Sequence, residues 1–121
     1  GKSHFYALDH KNPIVKHLKI LKTLFVLEKP VSRLKKICSQ ITLFGSAARG
    51  ENTPDSDLDL FIISRNKDKI MEEIKKNKIG AKIQCVIRSH LQLIEMKKTD
   101  PVFYEQIIRG IVLWEGRSHE I

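Results

Sequence analysis

The chain has 121 residues, 41% of them apolar, with a formal net charge of +8, which fits one domain around a single core and excludes a multidomain protein. No apolar stretch approaches the roughly 18 to 20 residues that span a bilayer, and the start lacks the basic-then-apolar layout of a secretory signal, so a soluble, cytoplasmic protein with no membrane partner is expected. Cys38 and Cys85 form no Cys-x-x-Cys pair and read as reduced core residues, and the five histidines (His4, His10, His17, His90, His119) show no zinc-type spacing.

Asn12-Pro13 reads as a helix start, with Asn as the cap and Pro at the first helical position, where its missing N–H costs nothing. Ile14, Leu18, Leu21 and Phe25 follow at 4, 3 and 4 spacing and predict a buried stripe, with Lys16, Lys19 and Lys22 turned away from it. Pro30 predicts a break, and Val31, Leu34 and Ile37 a second, shorter helix exposing Arg33, Lys35 and Lys36. Residues 1–40 hold nine Lys or Arg against Asp9 and Glu28, so most of the positive charge is N-terminal. Such a patch suits nucleic acid, an acidic partner or a triphosphate, and equally a solvated helix face.

Gln40 to Phe44 is short and apolar and stops at Gly45, which predicts a strand, with Ser46 to Arg49 as a helical turn. Glu51 to Ser56 has the composition of a surface loop, and Asp57 to Ser64 reads as the second strand. Asn66 to Lys78 keeps Ile70, Met71 and Ile74 at helical spacing, ahead of Gly80. Residues 81–88 alternate, with Ala81, Ile83, Cys85 and Ile87 on one side and Lys82, Gln84, Val86 and Arg88 on the other, and predict a third strand with one polar face. Ser89 caps a helix through Met96. Asp100-Pro101 starts another, with Phe103, Ile107 and Ile108 buried and Gly110 closing it, and Ile111 to Trp114 reads as an edge strand.

The chemistry concentrates between Gly45 and Asp59. Residues two apart on a strand point to one face, so Asp57 and Asp59 aim two carboxylates at one spot. At about 5 Å separation and an effective dielectric of about 20 they repel by roughly 3 kcal/mol, which a divalent cation relieves. Oxygen ligands without nearby His or Cys favour Mg²⁺ or Mn²⁺, with substrate phosphates as co-ligands and a nucleoside triphosphate as the natural source. Gly45 lacks a Cβ and lets a phosphate approach the backbone, Ser46 adds a hydroxyl, and the N–H groups that follow sit at a helix start. Arg49 either neutralises phosphate or braces the Asp-containing loop. Ser56 either positions Asp57 or caps the loop.

With Gly45-Ser46, Arg49-Gly50 and Ser56-Asp57-Leu58-Asp59 in place, the chain resembles the minimal nucleotidyltransferases of the DNA polymerase β superfamily over roughly residues 40–116. The Asp-Pro-Val-Phe-Tyr helix and the Gly-Ile-Val-Leu-Trp strand look like those of the small archaeal and bacterial members. The resemblance implies an α+β fold, a short mixed sheet of about four strands packed against helices, and the basic helices over 13–39 and a tail over 117–121 are expected to flank it. Residues 1–12 look like the tail of a winged-helix wing, as in archaeal fusions of that module to this domain. It further implies that Gly45 and Ser46 hold the β and γ phosphates of ATP and that Asp57 and Asp59 bind Mg²⁺. A hydroxyl would then take the nucleoside monophosphate as pyrophosphate leaves. Many small members are antitoxins that silence a partner HEPN-domain toxin by transferring AMP to a tyrosine. One position departs from the pattern: the family usually carries a third carboxylate on the third strand, where this chain has Gln84. An amide cannot act as a base and is a weak metal ligand, and Glu95 would substitute only by swinging inward. A non-catalytic nucleotide-binding or partner-binding module, and a nucleic-acid-binding regulator using Lys16, Lys19, Lys22, Lys35 and Lys36, are therefore expectations beside the enzyme.

Overall fold

The computed structural model describes residues 11–116. In chain order it runs α1 (Pro13–Leu34), β1 (Gln40–Phe44), a 3₁₀ turn (Ser46–Arg49), β2 (Leu58–Ile63), α2 (Lys67–Lys76), a 3₁₀ turn (Gly80–Lys82), β3 (Ile83–Arg88), α3 (His90–Thr99), α4 (Pro101–Ile108) and β4 (Ile111–Glu115). The winged-helix resemblance of residues 1–12 and the tail at 117–121 fall outside the described residues except for Lys11 and Asn12. None of the described helices is long and apolar enough to cross a membrane.

The four strands form one mixed sheet in the order β3-β2-β1-β4. β1 pairs antiparallel with β2 and with β4, while β2 and β3 run parallel, joined through α2 as a parallel pair requires. Period-two alternation divides the apolar residues between two faces. Leu58, Leu60 and Ile62 join Ile41, Leu43, Ile83 and Ile87 beneath α1 and α2, which contribute Leu27, Leu34, Ile70 and Ile74. Phe61, Ile63 and Phe44 pack on the other face with Ile107, where the Phe103 ring meets Phe44 edge-on with centroids 5.5 Å apart. The sheet is thus covered on both sides, which explains why Leu60 to Ile63 are all buried. Burial also pushes the Cys38 and Cys85 thiols up to about 12, as inert core residues.

Caps follow the sequence closely. Asn12 accepts from the Ile14 N–H at 2.8 Å, Ser89 and Gln92 close a capping box, and Asp100 accepts from the Phe103 N–H. Four expectations fail. Pro30 does not break α1: its ring is buried against the core, and that packing offsets the roughly 3 kcal/mol that an interior proline costs. Residues 80–82 form a 3₁₀ turn, so β3 begins at Ile83. Ile108 is 57% exposed, with Ile107 alone of that pair facing the core.

The fourth failure is the face of α1. Ile14, Leu18, Leu21 and Phe25 are 71, 56, 49 and 67% exposed, while Val15, Lys19, Thr23, Leu27, Pro30 and Leu34 turn inward. The C-terminal half of the helix lies on the sheet, but its N-terminal half lies on the turn and loop after β1, whose backbone carbonyls call for donors. Lys19 supplies one, to Asn52 O at 3.1 Å. The approach is close enough that a Cβ on Gly50 would press on the Lys16 carbonyl. Leu18→Gln is therefore expected to change the urea unfolding free energy by no more than about 0.5 kcal/mol, and a loss above about 1 kcal/mol would show that this face is covered.

Candidate functional site

The hairpin between β1 and β2 builds the site. Pairing sets Phe44 opposite Asp59, and the chain leaves β1 through Gly45 at φ 75°, ψ −156°, a conformation that residues with a side chain adopt only under strain. Gly45 then lies against the Asp59 carboxylate so closely that a Cβ would press on Oδ2. The 3₁₀ turn continues through Ser46, with the Ala48 N–H donating to Gly45 O at 3.1 Å and the Glu51 N–H to Ser46 O at 2.9 Å. The glycine and the carboxylate thus face each other across one antiparallel pair.

Asp59 is half-buried on β2, while Asp57, just before the strand, is exposed. Burial raises the Asp59 carboxyl above its usual range, and the charge of Asp57 raises it further. The surroundings of Asp59 thus disfavour its negative charge. Among the described residues no three His, Cys, Asp or Glu side chains form a group that could hold a metal. Two like-charged oxygen donors with no nitrogen or sulfur partner still fit one divalent cation that takes its other ligands from phosphate and water.

The remaining candidates are placed as follows. Gln84 pairs with Asp59 across the parallel β2–β3 register, so the amide stands beside the carboxylate on the same face, and Glu95 is exposed on α3. Ser56 Oγ accepts from the Thr53 N–H at 2.9 Å and lies 3.1 Å from the Thr53 hydroxyl, inside the loop. Arg49 donates to Glu51 at 2.7 Å, and Lys16 approaches the same carboxylate at 3.5 Å. The Arg49 guanidinium holds the Glu51 carboxyl below its usual range, with Lys16 adding to the effect. The loop is pinned from two sides, by Lys19 at Asn52 O and by Lys82, which donates to Pro54 O at 2.9 Å.

Lys19 is accordingly 9% exposed and corrects the expectation of five outward lysines. Sequence reasoning did not single out Arg109, which lines a cleft of about 570 Å³ with Gly45, Ala48, Arg49, Val102 and Glu105. Its only signal was a Glu105…Arg109 spacing common to surface helices.

A mixed four-stranded sheet that sets a Gly-Ser turn against a strand-borne aspartate defines a nucleotidyltransferase domain. Residues 28–119 match the family model described as polymerase beta, nucleotidyltransferase, and the chain belongs to that family. Its fold is similar to the crystal structure of a protein from Sulfolobus solfataricus described as a candidate nucleotidyltransferase, with a TM-score of 0.50 at 13% identity over 84% of this chain and 87% of that one. No curated protein matches the sequence.

Proposed function

We propose that the chain transfers AMP from ATP to a hydroxyl acceptor, a tyrosine of a HEPN-type toxin that it thereby silences. The contact of Gly45 with Asp59 across the hairpin carries the catalytic part of this reading, because it brings a place for phosphate and a place for a cation to one point. The acceptor comes from the likeness to the small antitoxin members alone. Gly45 and Ser46 hold the β and γ phosphates and keep the triphosphate extended across the strand ends. Asp57 and Asp59 are the residues that would hold Mg²⁺, which when bound neutralises charge on the phosphates and on the two carboxylates. The acceptor oxygen forms a bond to the α-phosphorus, the bond from that phosphorus to the bridging oxygen breaks, and pyrophosphate leaves. The hydroxyl proton finds no base at Gln84, so it passes to solvent.

That amide supports a second reading, a module that binds nucleotide without turning it over, because Gln84 occupies the register position beside Asp59. Incubation with α-labelled ATP, Mg²⁺ and a tyrosine-bearing acceptor separates the two. Label transfer by the unmodified chain, increased in Gln84→Asp, is the expected result. Transfer by the variant alone would favour the binding module, and ATP binding with no pyrophosphate release from either protein would dismiss the transfer reading.

A further inference from the structure

The apolar stripe of α1 has no part in the reading above. Ile14, Leu18, Leu21 and Phe25 stand exposed along the helix. Their 4, 3 and 4 spacing is that of alternating d and a positions in a heptad, the narrow seam that a second helix fills. Glu28 occupies the next d position and closes the seam. Its two flanks differ. Lys22 and Lys29, at the e positions, are exposed on one side, and among the described residues neither forms an ion pair. Leu24 and Val31, at the g positions, border a groove of about 360 Å³ on the other side, where Leu113 and Trp114 of the edge strand β4 also line it.

We propose that this face of α1 docks an amphipathic helix of a partner protein, one whose apolar seam is flanked by acidic side chains. An exposed apolar stripe of this length marks an interaction surface, and charge identifies what covers it. α1 carries Lys16, Lys19, Lys22, Lys29 and Arg33 against Glu28 alone, in a chain of net charge +8. Carboxylates along the partner's seam meet Lys22 and Lys29 and speed its approach. A second copy of this chain fits worse. Packed antiparallel, two copies set their basic flanks against each other, and packed parallel, each lays its lysines over the apolar groove of the other. A bilayer surface takes a broad apolar face, whereas this seam is narrow and only about 17 Å long at 1.5 Å per residue. The helix covers the face of β2 that carries Leu58, Leu60 and Ile62, while Asp59 stands on the opposite face with Phe61 and Ile63. The inference does not depend on the nucleotide-transfer reading.

The test is fluorescence anisotropy of the full chain with a labelled three-heptad peptide that has Leu at its a and d positions and Glu at e and g. The same peptide with Lys at e and g serves as the comparison. The chain is expected to bind the acidic peptide about tenfold more tightly than the basic one. Leu18→Gln and Phe25→Gln are each expected to weaken that binding by about tenfold, as loss of a buried anchor does. Lys22→Glu together with Lys29→Glu is expected to reverse the preference between the peptides. All four side chains are exposed, and a melting curve checks that each variant folds. No binding of the acidic peptide, equal binding of both peptides, or binding that Leu18→Gln and Phe25→Gln leave unchanged would overturn the proposal. So would a dimer of the unmodified chain in sedimentation equilibrium that Leu18→Gln dissociates, which would assign the face to a second copy. Flotation with phosphatidylserine vesicles that Leu18→Gln abolishes would likewise overturn it and assign the face to a membrane.

Discussion

Asp59→Asn is expected to abolish the proposed nucleotide transfer and at the same time to raise the melting temperature at neutral pH. The first effect follows from removing one of the two carboxylates proposed to hold the cation. The second follows from the raised Asp59 carboxyl, whose causes are burial first and the charge of Asp57 second. A carboxyl raised in the folded state keeps its proton more readily there than in the unfolded chain. Stability therefore falls as pH rises from the usual carboxylate range through the raised value, and the penalty is complete above it. Asparagine carries no such penalty, so the variant gains stability at pH 7 and loses that gain below the usual range, where both forms of Asp59 are protonated. Melting curves at pH 3 and pH 7, with label transfer from α-labelled ATP, check both halves. Retained transfer, or a melting temperature that falls at pH 7, would refute the assignment.

Gly45→Ala carries the second large effect. The backbone at φ 75°, ψ −156° lies where residues with a side chain pay on the order of 1–3 kcal/mol. The added methyl also presses on Asp59 Oδ2. The carboxylate must move or the hairpin must distort, so both the urea midpoint and transfer are expected to drop. A variant with the parent midpoint and full turnover would show that the glycine is needed neither for the turn nor for the approach.

The end of β1 was legible in the sequence because its signal is local. Gln40–Phe44 stops at Gly45 as its composition predicts, and period two places Asp59 on the face of Phe61 and Ile63. The inward face of α1 was not legible. Two helical stripes compete there, and the choice is made by a loop remote in sequence whose carbonyl at Asn52 needs Lys19. Pro30 misled because its ordinary cost is visible in sequence while the burial that offsets it is tertiary. The third-strand position was found through family resemblance, and the Asp59↔Gln84 pairing depends on how α2 carries the chain between parallel strands. Arg109 was invisible because nothing in an i, i+4 ion pair announces the cleft it borders.

The pairing of Phe44 with Asp59 also means that the ladder, not the length of the intervening segment, brings glycine and carboxylate together. Closing a longer segment costs only about 0.6 kcal/mol per doubling, so chains with quite different numbers of residues between the two can present the same juxtaposition. Searching for a fixed spacing would pass over them. A glycine in this backbone conformation, facing a carboxylate across an antiparallel pair, would identify them.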